Sequence, residues 1–151
     1  MYNFELNELQ KQNMQYEVLK MVETLSEEFC LQDHFGRISI VMDEIVEQIQ
    51  SFSKGEFYDT SFNFFVNADS LSIQIHHSES LAAFKTLLQE ENEENNAFLT
   101  ISKLTDKIEF DSEDRDMNIL FHVKPNMKRA NYQEERVGET ITEKQKSSKN
   151  I

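Results

Sequence analysis

The chain has 151 residues, of which 38% are hydrophobic with 12 Phe, and its formal net charge is −13. That length suits one domain and the aromatic content is above that of fully disordered chains, while the acidity offers no basic groove to nucleic acid and no attraction to an anionic membrane surface. With 3 Gly, 1 Pro and 1 Cys, a glycine-rich phosphate loop, an internal disulfide framework and a multi-cysteine zinc site are excluded, and the single Cys30 fits a reducing compartment.

Asn3 to Leu6 alternates, with Phe4 and Leu6 on one side, and predicts a short strand. Asn7 follows as an expected helix N-cap. Met14, Val18, Met21, Val22, Leu25 and Phe29 then recur at three- and four-residue steps and predict an amphipathic helix. Leu31 to Gly36 is expected as a break. Ile38, Val41, Met42, Ile45 and Ile49 predict a second helix that ends near Ser51 to Gly55. The period then changes from 3.6 to 2. Phe62, Phe64 and Val66 alternate with Asn63 and Phe65, and Leu71, Ile73 and Ile75 alternate with Ser72 and Gln74. The turn Asn67-Ala68-Asp69 joins them as a β-hairpin.

Leu81 to Leu88 is expected as a short helix or lid-like segment, and residues 89–96, QEENEENN, as an acidic loop. Ala97 to Leu104 predicts a further helix with Phe98 and Ile101 inward. Ile108 and Phe110 predict a strand, Ser112 to Asp116 a charged turn, and Met117, Ile119, Phe121 and Val123 a closing strand. The order β-α-α-β-β-α-α-β-β implies an α+β, two-layer sandwich: a mixed or antiparallel sheet with helices on one face. Residues 1–124 form this domain. Residues 125–151 follow the only proline, carry a net +2 against −15 for the rest, and are expected as a flexible polar tail. No apolar run approaches the ~20 residues of a membrane span. Met1 to Gln12 lacks a cationic region followed by an apolar stretch, so no secretory signal is expected and the expected location is the cytoplasm.

Three places, within Asn3 to Lys124, resemble the GHKL ATPase superfamily, whose fold is the Bergerat type, and most of all its anti-sigma-factor serine kinases. The first is ISIVMDEIVEQIQ, residues 38–50, where the resemblance puts Glu44 at the general-base position and Gln48 at the position of an asparagine that holds magnesium on the nucleotide. Residues four apart share one side of a helix. The second is LSIQIHH, residues 71–77, with His77 and Glu79 at the positions of the adenine-binding aspartate and a following glycine. The third is NNAFLTISKLTDKIEF, residues 95–110, where Asn95, Asn96 and Ala97 take the place of the phosphate-cradling glycine segment.

The chemical positions depart from the family pattern: Gln48 for asparagine, His77 for aspartate, Asn95 and Ala97 for glycines. Glu90, Glu91, Glu93 and Glu94 would also repel a triphosphate. The resemblance therefore implies a regulatory protein-binding domain with degenerate ATP-binding motifs and no cofactor. Its partner is a sigma factor or an anti-sigma antagonist, met through Asn3 to Phe29, and a homodimer is also allowed. One alternative is an active Mg-ATP-dependent serine kinase or ATPase, with Glu44 as base, Gln48 on the metal, and His77, Asn95, Asn96 and Ala97 on the nucleotide. The other is an unrelated α+β binding domain. Cys30 lies among Glu27, Glu28 and Asp33, which disfavour a thiolate, and is expected as a half-buried structural residue. His76 and His77 are adjacent on a strand and point to opposite faces, so they do not converge on a metal.

Overall fold

In the computed structural model, the described residues are 2–52, 60–77, 81–89 and 96–123. The elements run β1 (Tyr2–Leu9), α1 (Met14–Glu28), α2 (Gln32–Phe52), β2 (Thr60–Val66), β3 (Ser70–His77), α3 (Ala82–Gln89), α4 (Asn96–Leu104), β4 (Lys107–Phe110) and β5 (Asp116–His122). This is the order the periodicities predict. The five strands form one sheet in the order β1-β2-β3-β5-β4. Every neighbouring pair is antiparallel. The expected tail, residues 125–151, and most of the acidic loop at 89–96 lie outside the described residues.

Two hairpins build the sheet, β2-β3 and β4-β5. The Asn67 amide donates to the Ser70 carbonyl at 2.9 Å and closes the first. In the second, Asp111 Oδ1 accepts from the amides of Arg115 at 2.9 Å and Asp116 at 3.0 Å, an aspartate mimicking a backbone turn. These bonds hold the Asp111 carboxyl below its usual range, the Asp116 amide contributing most.

One side of each central strand is apolar. Phe62, Phe64 and Val66, Leu71, Ile73 and Ile75, and Met117, Ile119 and Phe121 are all buried. They form one core with Val18, Val22 and Leu25 of α1, Ile38, Val41, Met42, Ile45 and Ile49 of α2, Phe84 of α3 and Phe98 and Ile101 of α4. The helices therefore cover one face of the sheet. Burying each Phe or Leu is worth about 1.5–3 kcal/mol, so this shared core is the main source of stability. Aromatic contacts tie the layers further. Phe29 meets Phe4 edge-on at 5.8 Å, and Phe84 meets Phe98 at 5.4 Å.

Three local expectations are corrected. Asn7 is not a helix cap: β1 continues to Leu9, paired with Thr60, through a bulge in which Glu8 takes φ 55°. The bulge adds a residue without ending the pairing, so α1 starts only after Asn13. The break at Leu31 to Gly36 shrinks to a tight corner at Phe29 to Leu31, and Gly36 lies inside α2. At that corner the Leu31 amide donates to the Ser26 carbonyl at 2.9 Å and Cys30 takes φ 55°. This is a Schellman closure with a cysteine where glycine is usual. Phe29 and Leu31 on either side of it turn into the core, whereas Cys30 is exposed and not half-buried.

Candidate functional site

The residues matched to the nucleotide site come from three elements. Glu44 and Gln48 lie one turn apart on α2, both half-buried at the rim of its apolar stripe. That stripe, Val41, Met42, Ile45 and Ile49, is buried against the sheet, so its rim residues stand at the border between core and solvent. Burial pushes the Glu44 carboxyl above its usual range, and the charges of Glu47 and Asp43 push it further. An acid raised this way is easier to protonate near neutral pH than an exposed one. Asp43 itself accepts from Gln15 Nε2 at 2.6 Å and links α2 to α1.

His77 ends β3 on the buried side and is 2% exposed. Its ring nitrogen Nδ1 lies 2.8 Å from Thr60 Oγ1, and Thr60 is its register partner on β2. Thr60 is also fully buried. A buried polar pair that satisfies itself is a stable arrangement. It also means that Nδ1 of His77 is engaged inside the fold. The His77 amide donates to the Arg115 carbonyl at 3.0 Å, which fixes this strand end against the β4-β5 turn. The same turn holds the start of α3: the Leu81 amide donates to the Asp114 carbonyl at 2.6 Å, and Lys85 Nζ pairs with Asp114 at 3.1 Å.

Asn96 is the first residue of α4 and Ala97 the second, half-buried. Asn95 lies outside the described residues, as does Glu79. Residues 38–50, His77 and the start of α4 thus belong to elements that share one core, since α2 packs on both α3 and α4.

A second cluster went unread in the sequence. Arg37, near the start of α2, donates from Nη1 to Asp106 at 3.2 Å and from Nη2 to the His122 carbonyl at 2.6 Å. Its guanidinium lies 5.5 Å from the centre of the Phe121 ring. Asp106 also accepts from the His122 amide at 2.6 Å. That amide holds the Asp106 carboxyl below its usual range; burial opposes the shift and Arg37 adds to it. The cluster clamps α2 to the α4-β4 corner and the end of β5. Arg37 and Asp106 are 69 positions apart, so no local signal joins them.

Two grooves are lined by described residues. One, of about 410 Å³, follows the outer stripe of α1 along Tyr16, Leu19, Lys20, Glu23, Thr24 and Glu27. The other, of about 220 Å³, lies at the α4-β4 corner beside Asp106 and Ile108. Neither is lined by Glu44, Gln48 or His77. Among the described residues, no group of three or more His, Cys, Asp or Glu is placed to hold a metal ion. No helix of the described residues is long and apolar enough to cross a membrane. No protein-family model matches the chain, and no curated protein matches it.

Proposed function

We propose that the chain is a regulatory protein-binding domain on a GHKL-type, Bergerat-like scaffold, with degenerate nucleotide motifs, that acts by protein contact through Asn3 to Phe29. The observation that carries this reading is the outer stripe of α1. Tyr16, Leu19, Lys20, Glu23, Thr24 and Glu27 fall at helical spacing along one open groove. Tyr16 is 65% exposed, the most of any large hydrophobic among the described residues, although the inner stripe of the same helix is fully buried. An exposed Tyr and a Leu flanked by carboxylates suit a partner helix with apolar anchors and basic flanks. That chemistry fits a sigma-factor-like or antagonist-like partner, and a second copy of this chain is the other occupant of the same face.

The engagement of His77 with Thr60 supports the degenerate side of the reading, because a purine amino group needs an acceptor directed into a cleft. The raised carboxyl of Glu44 favours the second reading, an active Mg-ATP-dependent serine kinase or ATPase with Gln48 on the metal and Asn95 to Ala97 at the phosphates.

Calorimetric titration with ATP and ADP, with and without magnesium, separates the two. The proposal expects no saturable heat up to millimolar nucleotide. Magnesium-dependent saturation that disappears in Glu44→Ala would establish the second reading instead. For the contact surface, a partner captured by the full chain should be lost in Leu19→Asp and in Tyr16→Ala while the melting temperature holds. Capture that survives both changes would remove α1 from the interface.

A further inference from the structure

The strand β4, Lys107-Ile108-Glu109-Phe110, ends the sheet. It lies at the opposite edge from β1, away from the α1 face. Its hydrogen bonding follows from the turn beside it. The Asp111 amide donates to the Asp116 carbonyl at 3.0 Å, and the register continues as Glu109 with Asn118 and Lys107 with Leu120. In an antiparallel ladder, bonded pairs alternate with unbonded ones. Lys107 and Glu109 therefore turn their backbone groups to β5. Ile108 and Phe110 turn theirs to the free edge.

The side chains divide as well. Lys107 and Glu109 stand on the outer face, 61% and 58% exposed, with Nζ 2.8 Å from Oε1. Ile108 and Phe110 are partly buried against the core. They border an open groove of about 220 Å³, whose other walls include Leu88 of α3 and Thr105 after α4. A lysine on an edge strand usually guards it against pairing. Here Glu109 balances it, and the order Lys-Ile-Glu is self-complementary when read antiparallel.

From this pattern we infer that the β4 edge docks a second copy of this chain about a two-fold axis at Ile108. The two Ile108 residues then form a bonded pair, each amide donating to the other's carbonyl. Lys107 of each copy faces Glu109 of the other, so the outer face carries four charges of alternating sign. A two-fold at Glu109 instead sets Glu109 against its own copy, and like charges directly opposite are destabilising. The charges thus select Ile108 as the centre. On the inner face, the two grooves meet at the axis and cover both Ile108 side chains. The two five-stranded sheets become one continuous sheet. The ladder is only 4 residues long, so the contact belongs to the small and weak interfaces, below about 1,200 Å².

The test is sedimentation velocity of the full chain from micromolar to millimolar concentration. The expected result is a dimer that grows with concentration and goes no further, because a two-fold contact closes on itself. Lys107→Glu and Glu109→Lys should each raise the dimer Kd by about tenfold or more, since each change places like charges opposite one another twice. An equimolar mixture of the two variants should recover the parent Kd, because every facing pair is again opposite in sign. Ile108→Pro should abolish the dimer, as it removes the donor at the axis while its amide is not needed by β5. The charge variants alter exposed side chains, and their melting temperatures should match the parent. A chain that stays monomeric throughout overturns the inference and leaves the edge to an extended segment of another protein. A dimer untouched by both charge variants also overturns it, as does a mixture that fails to recover the parent Kd. A dimer lost in Leu19→Asp but kept in Glu109→Lys would place the second copy on α1 instead.

Discussion

Phe64 and Phe65 are neighbours in the chain and meet opposite surroundings. Phe64 faces the helices and is fully buried between Phe4, its partner on β1, and Ile73, its partner on β3. Phe65 faces outward, half-exposed, in a row with Asn3, Ser72 and Leu120. The inner face of the sheet is apolar and close-packed. The outer face is mostly Ser, Asn, Gln and single charges. Stability is concentrated on the first. A difference of one residue in register would exchange them.

The sharpest way to break this contrast is to truncate both rings. Phe64→Ala should cost about 3–5 kcal/mol in denaturant unfolding, through lost burial and a residual cavity. Phe65→Ala should cost about 1 kcal/mol or less. Equal costs would mean that the outer face is covered as fully as the inner one.

The next effect concerns the clamp that holds the helix layer to the sheet. Asp106→Ala should cost about 1–3 kcal/mol, because it strands the His122 amide and the Arg37 guanidinium. The Asp106 carboxyl sits below its ordinary value of 3.8 when folded. Its contribution is therefore present above that value and lost as pH falls through the lower folded one. Stability curves of parent and variant should converge in strong acid, and a gap that persists there would show that the charge is not the cause.

A smaller gain is expected within the helical layer. Gly36 is exposed inside α2, and an added Cβ meets no atom within 4 Å. Gly36→Ala should stabilise by about 0.5–1 kcal/mol. The smallest effect belongs to Glu44. Its carboxyl is raised above the ordinary 4.5 in the folded state, so ionisation opposes folding as pH rises through and beyond that value. Glu44→Gln should raise stability by about 0.5 kcal/mol at neutral pH. The gain should vanish below pH 4.5, where both states are protonated. A variant less stable at pH 7 would give Glu44 a structural role instead.

Much of the fold was legible because side-chain periodicity is a local property. The alternation of Phe62, Phe64 and Val66 and the three- and four-residue spacing from Met14 to Phe29 each name a buried face without reference to the rest of the chain. Breaks were less legible. Asn7 resembles a cap by residue type, but cross-strand pairing of Leu9 with Thr60 holds the strand beyond it. Gly36 resembles a terminator, but the buried stripe from Ile38 onward and the Schellman corner at Cys30 carry the helix through it. In the candidate nucleotide site, the sequence placed Glu44 and Gln48 at the rim of the apolar stripe, where the structure has them. It had no means of reading the bond of His77 to Thr60, which joins residues 17 positions apart.

By itself, then, the amino-acid order determined the elements, their succession and which side of each is apolar, since these depend on neighbours within one or two turns. Only the tertiary structure decided the strand order β1-β2-β3-β5-β4, the fully antiparallel pairing and the clamp of Arg37 on Asp106. Those depend on register between strands distant in the chain, and register is set by the packing of the whole inner face, which no local pattern encodes.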